Sequence, residues 1–239
     1  MAGLTYTTYV NSLENLAPTV AGDANFLTDL PNIIDDAEQR LYRELDLVST
    51  SVRDSSAALV LATRNFTLPS TNGTFIVTDQ LNVITPAATT NPELGTRVAL
   101  VPASQEMLNA LWPSQAGSSV PQYFAMVDQG LAIVAPWPDA TYTVEVVGTI
   151  RPPALSSSVT TTLLSVFFPD LLIAASMVRL SGYMKNYGAG ADDPKMAMSW
   201  ETHYQALIGS AETEEARKKF ASVAWSSDSP QPLATPPRV

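Results

Sequence analysis

Apolar residues in the segment 25–46 recur at helical spacing. Leu30, Ile34, Ala37, Leu41 and Leu45 follow one another at intervals of three and four, which places them on one face of a helix. Asp29 is placed to cap the start of this helix, with Pro31 in the first turn, where a missing N–H leaves nothing unpaired. Asp36, Arg40 and Glu44 step by four along the solvated side, giving two supporting ion pairs. A shorter helix is predicted over residues 6–16, ending before Pro18.

The texture changes near residues 49–56. Short runs rich in Val, Thr, Pro and aromatics follow, and they read as strands: 59–61, 66–68, 75–77, 81–84 and 97–101. Thr78-Asp79 reads as a turn between two of them, and residues 86–95 as a loop. Residues 104–112 form a short helix that Pro113 stops. The clearest β signal is the pair 123–127 and 131–134 around Asp128-Gln129-Gly130, a short hairpin loop containing glycine. Tyr142, Val144 and Val146 alternate with Thr141, Thr143 and Glu145, the mark of a half-buried strand.

Helical spacing returns after the threonines at 160–162. Leu164, Phe168, Leu171, Ala175, Val178 and Gly182 share one face. Residues 188–193 read as a loop, with Asp193 capping a last helix that has Pro194 in first position. Ala197, Trp200, Tyr204, Leu207 and Ala211 form its apolar stripe, and Glu214–Lys218 and Glu215–Lys219 are well-oriented supporting pairs. The Pro/Ser-rich end, from Ser226 onward, cannot bury a core and reads as an extended tail that orders on a partner.

Each apolar stripe is short, so the two helical ends need each other. The fold class is therefore α+β: a helical bundle formed by the N- and C-terminal segments, with an inserted small antiparallel β domain, sandwich- or barrel-like. The divisions are 1–57 for the N-terminal helices, 58–159 for the β insertion, 160–225 for the C-terminal helices and 226–239 for the tail.

Charge narrows the partners. The net charge is −10, and residues 1–57 carry nine acids against three cations. That balance opposes tight nucleic-acid binding, which needs cations to release counterions from phosphates, yet it permits DNA to slide past. No disulfide or thiolate metal site is open to a chain without cysteine. The opening residues lack a basic start and an apolar core, so no signal peptide is read there. The most apolar run, 163–177, carries Pro169 and Asp170 and falls short of a membrane span.

Catalytic motifs are missing from this reading. His203 is the single histidine, and no G-x-S-x-G elbow accompanies it, so a structural role is taken. Asp35-Asp36 reads as a solvated acidic face, because adjacent helical residues diverge too far to clamp a metal. Gly188-Ala189-Gly190 lacks the Gly-Lys-Ser/Thr ending of a phosphate loop. Arg217, Lys218 and Lys219 are offset by Glu214 and Glu215 and read as a helix surface. Trp112, Tyr123, Phe124, Trp137 and Tyr142 could stack on sugars, but packing within a small β unit is the simpler account.

Three stretches carry a resemblance: FLTDLPNIIDDAEQRLYRELDL, VPQYFAMVDQGLAIVAPWPDATYTVEVVGTIRPPAL and TTLLSVFFPDLLIAASMVRLSGYMKN. In this order they resemble the tailed-phage head-to-tail adaptors, also called head-completion or tail-accessory proteins. The second contains that family's P-x-Y-F/Y segment, hairpin and apolar-Pro-x-Pro turn, here Ala135-Pro136-Trp137-Pro138. The match covers most of residues 24–187, is less clear over 58–115 and is absent from the tail.

The resemblance implies a non-enzymatic virion protein without cofactors, located at the head–tail junction and assembled in the host cytoplasm. It implies a homo-oligomeric ring, commonly twelve-fold, that docks on the portal, extends the channel for double-stranded DNA and offers a platform to tail or nozzle proteins. No membrane is involved. Family members often grip the portal with a C-terminal arm, which here assigns portal contact to Trp225, Pro230, Pro232, Leu233, Pro236, Pro237 and Arg238. Asp35, Asp36 and Glu38 are placed toward the channel, where acidic side chains would repel DNA. Two rival readings are a carbohydrate- or protein-binding β module of a virion and a hydrolase with an unrecognised site.

Overall fold

A computed structural model describes residues 3–184 and 194–223. The loop expected over 188–193, the cap expected at Asp193 and the whole tail lie outside the described residues. The chain divides into two compact units, Met1–Val48 with Ala154–Val239, and Ser49–Pro153.

The first unit is helical: α1 Tyr6–Leu16, α2 Ala24–Glu44, α4 Leu163–Phe167, α5 Pro169–Met184 and α6 Pro194–Val223. Thr5 caps α1 in a reciprocal box with Thr8. Asp23 caps α2 by accepting from the Asn25 N–H at 3.0 Å. The cap therefore lies a turn and a half before the expected Asp29, and Pro31 sits inside the helix. Pro31 is tolerated there because it and Leu27, whose carbonyl loses its partner, both face solvent.

The predicted stripe of α2 is buried, joined by Phe26 and Ile33, and it packs with Leu171, Leu172, Ala175, Met177 and Leu180 of α5 in one core. The apolar face expected to run unbroken from Leu164 to Gly182 is split at Phe168. Thr162 caps the short α4, and Pro169 opens α5, since proline starts a helix more readily than it continues one. Tyr204, Ile208 and Ala211 seat α6 on this core.

The second unit is a β-sandwich. Its strands are β1 Ser51–Leu59, β2 Asn65–Thr67, β3 Thr74–Thr85, β4 Thr96–Ala99, β5 Val101–Pro102, β6 Tyr123–Met126, β7 Leu131–Ala135 and β8 Tyr142–Arg151, with helix α3 Gln105–Leu111 between β5 and β6. One sheet runs β1-β8-β3-β4 and the other β2-β7-β6-β5. All pairs are antiparallel except β5 with β6. Residues 51–57, read from sequence as part of the helical end, pair instead with β8.

The sequence placed a turn at Thr78-Asp79, whereas β3 runs straight through it. The extra residues are absorbed as register shifts between Phe75 and Val77 and between Thr78 and Gln80. Gly148 of β8 faces this bulge, and a Cβ there would collide with the Val77 carbonyl oxygen. Leu59, Phe66, Phe75, Val83, Val134 and Val144 belong to the core between the sheets. Strand β7 is buried on both sides. Ala132 and Val134 enter the sandwich core, while Ile133 and Ala135 pack with Leu108 of α3. That explains its continuous apolar run.

Candidate functional site

The acidic residues of α2 divide between surface and core. Asp35 is exposed, and its Oδ2 accepts from Gln39 Nε2 at 2.5 Å. Asp36 is exposed and pairs with Arg179 Nη1 at 2.5 Å rather than with Arg40. Glu38 is only 3% exposed, so it does not share that surface. Its carboxylate accepts from the Leu155 N–H, 3.3 Å from each oxygen, and from Thr162 Oγ1 at 3.2 Å. Burial pushes its pKa up to about 7, against the lowering effect of those two donors, and the nearby Asp35 charge adds to the rise.

The position of Glu38 had a signal in the sequence. It stands four residues after Ile34 and three before Leu41, inside the apolar stripe. The segment it holds, 155–162, is also fastened to the N-terminus, where the Tyr6 N–H donates to the Thr160 carbonyl at 2.8 Å.

Helix α6 is joined to α2 through a polar seam. Arg40 donates to both oxygens of Glu201, at 2.8 and 2.6 Å, and its Nε donates to Glu44 at 2.9 Å. The Tyr204 hydroxyl donates to Glu44 at 2.6 Å, and the guanidinium stacks 3.9 Å from the Tyr204 ring centroid. The Arg40 hydrogen bonds, the leading cause, together with one from Gln205 Nε2 at 2.8 Å and the Arg40 charge, hold the Glu201 pKa down to about 2. Farther along, Glu215 is buried and accepts from the Val48 N–H at 3.0 Å and from Lys218 at 2.7 Å. The expected Glu214–Lys218 pair forms at 2.7 Å, while Lys219 pairs with Asp46.

At the break between α4 and α5 lies a cleft of about 290 Å³ with Phe168, Leu171, Leu207 and Ala211 on its apolar walls and Asp170 and Glu214 at its rim. Phe167 stands beside it, 62% exposed. Lys218 Nζ lies 5.1 Å from the Phe168 ring centroid. The cleft thus combines an apolar floor and an exposed aromatic edge with charged side chains at its margin.

The remaining chemical candidates are scattered. His203 is exposed and meets the Trp200 ring edge-on at 5.9 Å. Among the described residues, no group of three or more His, Cys, Asp or Glu could hold a metal ion. In the β unit, Trp112 and Tyr123 contact each other at 5.5 Å and pack against the Leu108 cluster, while Trp137 Nε1 donates to the Trp112 carbonyl at 3.3 Å. Phe124 and Tyr142 are buried in the sandwich. These aromatics are committed to packing rather than presented as a platform. The residues assigned to portal contact, Trp225, Pro230, Pro232, Leu233, Pro236, Pro237 and Arg238, lie outside the described residues.

No helix among the described residues is long and apolar enough to cross a membrane. A search of curated proteins returned no match to the chain. A family model described as SU10 adaptor protein matches residues 4–229, from the helix before α2, through both sheets, to beyond α6. The match spans nearly the whole chain, and the chain belongs to the SU10 adaptor protein family.

Proposed function

We propose that this chain is the protomer of a ring that sits below the portal of a tailed phage, extends its DNA channel and gives the tail proteins a platform. Family membership gives the chain a structural role as a phage adaptor, associated with portal and tail proteins in the virion. The observation that carries the finer reading is the extent of that match: it takes in the helical unit and the β insertion together, as one adaptor protomer. The reading is non-enzymatic. Exposed apolar side chains on both units, among them Phe167, Met198 and Leu94, are surfaces that subunit contacts would cover.

In this reading Asp35 and Asp36 are the channel-facing acids, and Glu38 serves inside the protomer. The Pro-rich tail grips the portal. A twelve-fold count is the family's common arrangement. Electron microscopy of the full chain with and without the portal protein of the same phage tests the proposal. The expected image is a ring of density below the portal, and a chain that never joins the portal sinks the reading. Removal of residues 226–239 is expected to weaken portal attachment while the circular dichroism spectrum stays unchanged. Unaltered attachment removes the tail from the interface.

A further inference from the structure

The β unit holds a half-buried cation without a counter-charge among the described residues. Arg64 lies just before β2, and its carbonyl accepts from the Val134 N–H at 2.9 Å, which fixes the backbone against β7. Its Nη1 donates to Asn109 Oδ1 of α3 at 2.9 Å, and the guanidinium lies 5.5 Å from the Trp137 ring centroid. Nε and Nη2 are buried and have no hydrogen-bond partner. Among the described residues no carboxylate pairs with it. A partly desolvated guanidinium gains from an anion that compensates it, and arginine beside tryptophan is the composition of an interface anchor.

The surroundings have the form of a contact surface. Val60 and Leu61, at 57% and 56% exposed, stand at the tip of the β1–β2 turn, and Leu111, at 56%, ends α3. The turn is fastened at this end of the sandwich. Ala62, at a φ of 59°, donates its N–H to the Pro138 carbonyl at 2.9 Å and accepts at its own carbonyl from Gln115 Nε2 at 2.9 Å. The tip is therefore held in place with two large apolar side chains turned to solvent.

We propose that this end of the β unit is a contact between copies of the chain, in which a carboxylate of a second copy pairs with Arg64 and Val60, Leu61 and Leu111 form its dry rim. Asn109 is exposed, so an incoming carboxylate can displace its amide oxygen from Nη1 and exchange a neutral hydrogen bond for a charge-assisted one. The occupant is a second copy because charge favours it. The chain carries 23 Asp and Glu against 13 Lys and Arg, so its own surface supplies carboxylates in excess. One such contact, repeated by rotation, closes a ring. The inference rests on the ring reading above.

Mass photometry of the full chain over a dilution series, alone and with portal protein, tests it. R64Q is expected to raise the concentration at half assembly at least about ten-fold, with R64K intermediate because a lysine keeps the charge but loses the planar guanidinium beside Trp137. A benzoylphenylalanine at position 61 keeps Arg64 intact and is expected to cross-link to an Asp- or Glu-containing peptide of another copy. That arm decides the matter if R64Q loses its fold. Assembly of folded R64Q at the wild-type midpoint overturns the Arg64 contact and leaves the ring reading standing. A cross-link to portal instead of another copy assigns the surface to a different partner and overturns the proposal. Wild-type protein that stays a single copy under both conditions overturns the ring and this contact together.

Discussion

Glu38 in the helical unit and Glu145 in the β unit are 3% and 2% exposed, yet their surroundings share almost nothing. Glu38 is met by a backbone N–H and a threonine hydroxyl, and among the described residues no cation pairs with it. Glu145 receives Arg97 Nε at 3.1 Å on both oxygens and Asn82 Nδ2 at 3.2 Å, with Arg53 at 3.8 Å. The helix supplies donors from a loop that crosses it. The sheet supplies a cation from the strand beyond its neighbour, where residues on one face line up across strands. One buried acid is thus met by neutral dipoles and the other by charge.

The largest test of this contrast is to take the cation away. R97A leaves Glu145 buried beside Asn82 and the distant Arg53. The β unit is expected to lose about 4 kcal/mol of stability, measured by urea unfolding read from tryptophan fluorescence. The double variant R97M/E145L removes both charges and is expected to recover most of that loss. A single variant as stable as wild type would show that Arg97 is a bystander.

The second test concerns Glu38. Its pKa rises from 4.5 unfolded to about 7 folded, so the folded state holds the proton more tightly. The contribution is therefore fully present below the unfolded pKa of 4.5 and is lost as pH rises through about 7. Across that window the helical unit is expected to lose about 3 kcal/mol, measured by urea unfolding at 222 nm. E38Q is expected to flatten this dependence. An equally steep profile in E38Q would assign the titration to another group.

The smallest effect is expected at Glu201, where the sign is reversed. Arg40 holds its pKa down to about 2, so its contribution is present above the unfolded 4.5 and is lost as pH falls toward 2. Its side chain is 38% exposed, and solvent screens the pair. E201Q is expected to cost about 0.5 kcal/mol, and 1 M salt to erase that difference. A penalty that survives high salt would place Arg40–Glu201 among the buried pairs.

Local pattern carried much of this fold. The α1 span, the α2 stripe and the Asp128–Gly130 hairpin were all legible, because each depends on neighbours in sequence. In that hairpin the Gly130 N–H donates to Asp128 Oδ1 at 2.8 Å, within the turn itself. What was not legible depends on partners far along the chain. β3 continues through Thr78-Asp79 only because Gly148, seventy residues on by sequence number, admits the bulge. Pro31 is accommodated because its face of α2 is left to solvent. At the candidate surfaces, the acid pair Asp35-Asp36 could be placed from sequence, whereas Arg64 gave no sign. Its unpaired state follows from what surrounds it in space.

Ser51 and Thr149, near the two ends of the β unit, are direct partners across adjacent antiparallel strands. The chain thus enters β1 beside the place where β8 nears its end, about one strand spacing away. A segment with that property is a portable cassette. It can be cut out and rejoined, or exchanged for another, without stretching the host chain across a gap. Insertion and replacement within a gene need only a short bridge between residues 48 and 154.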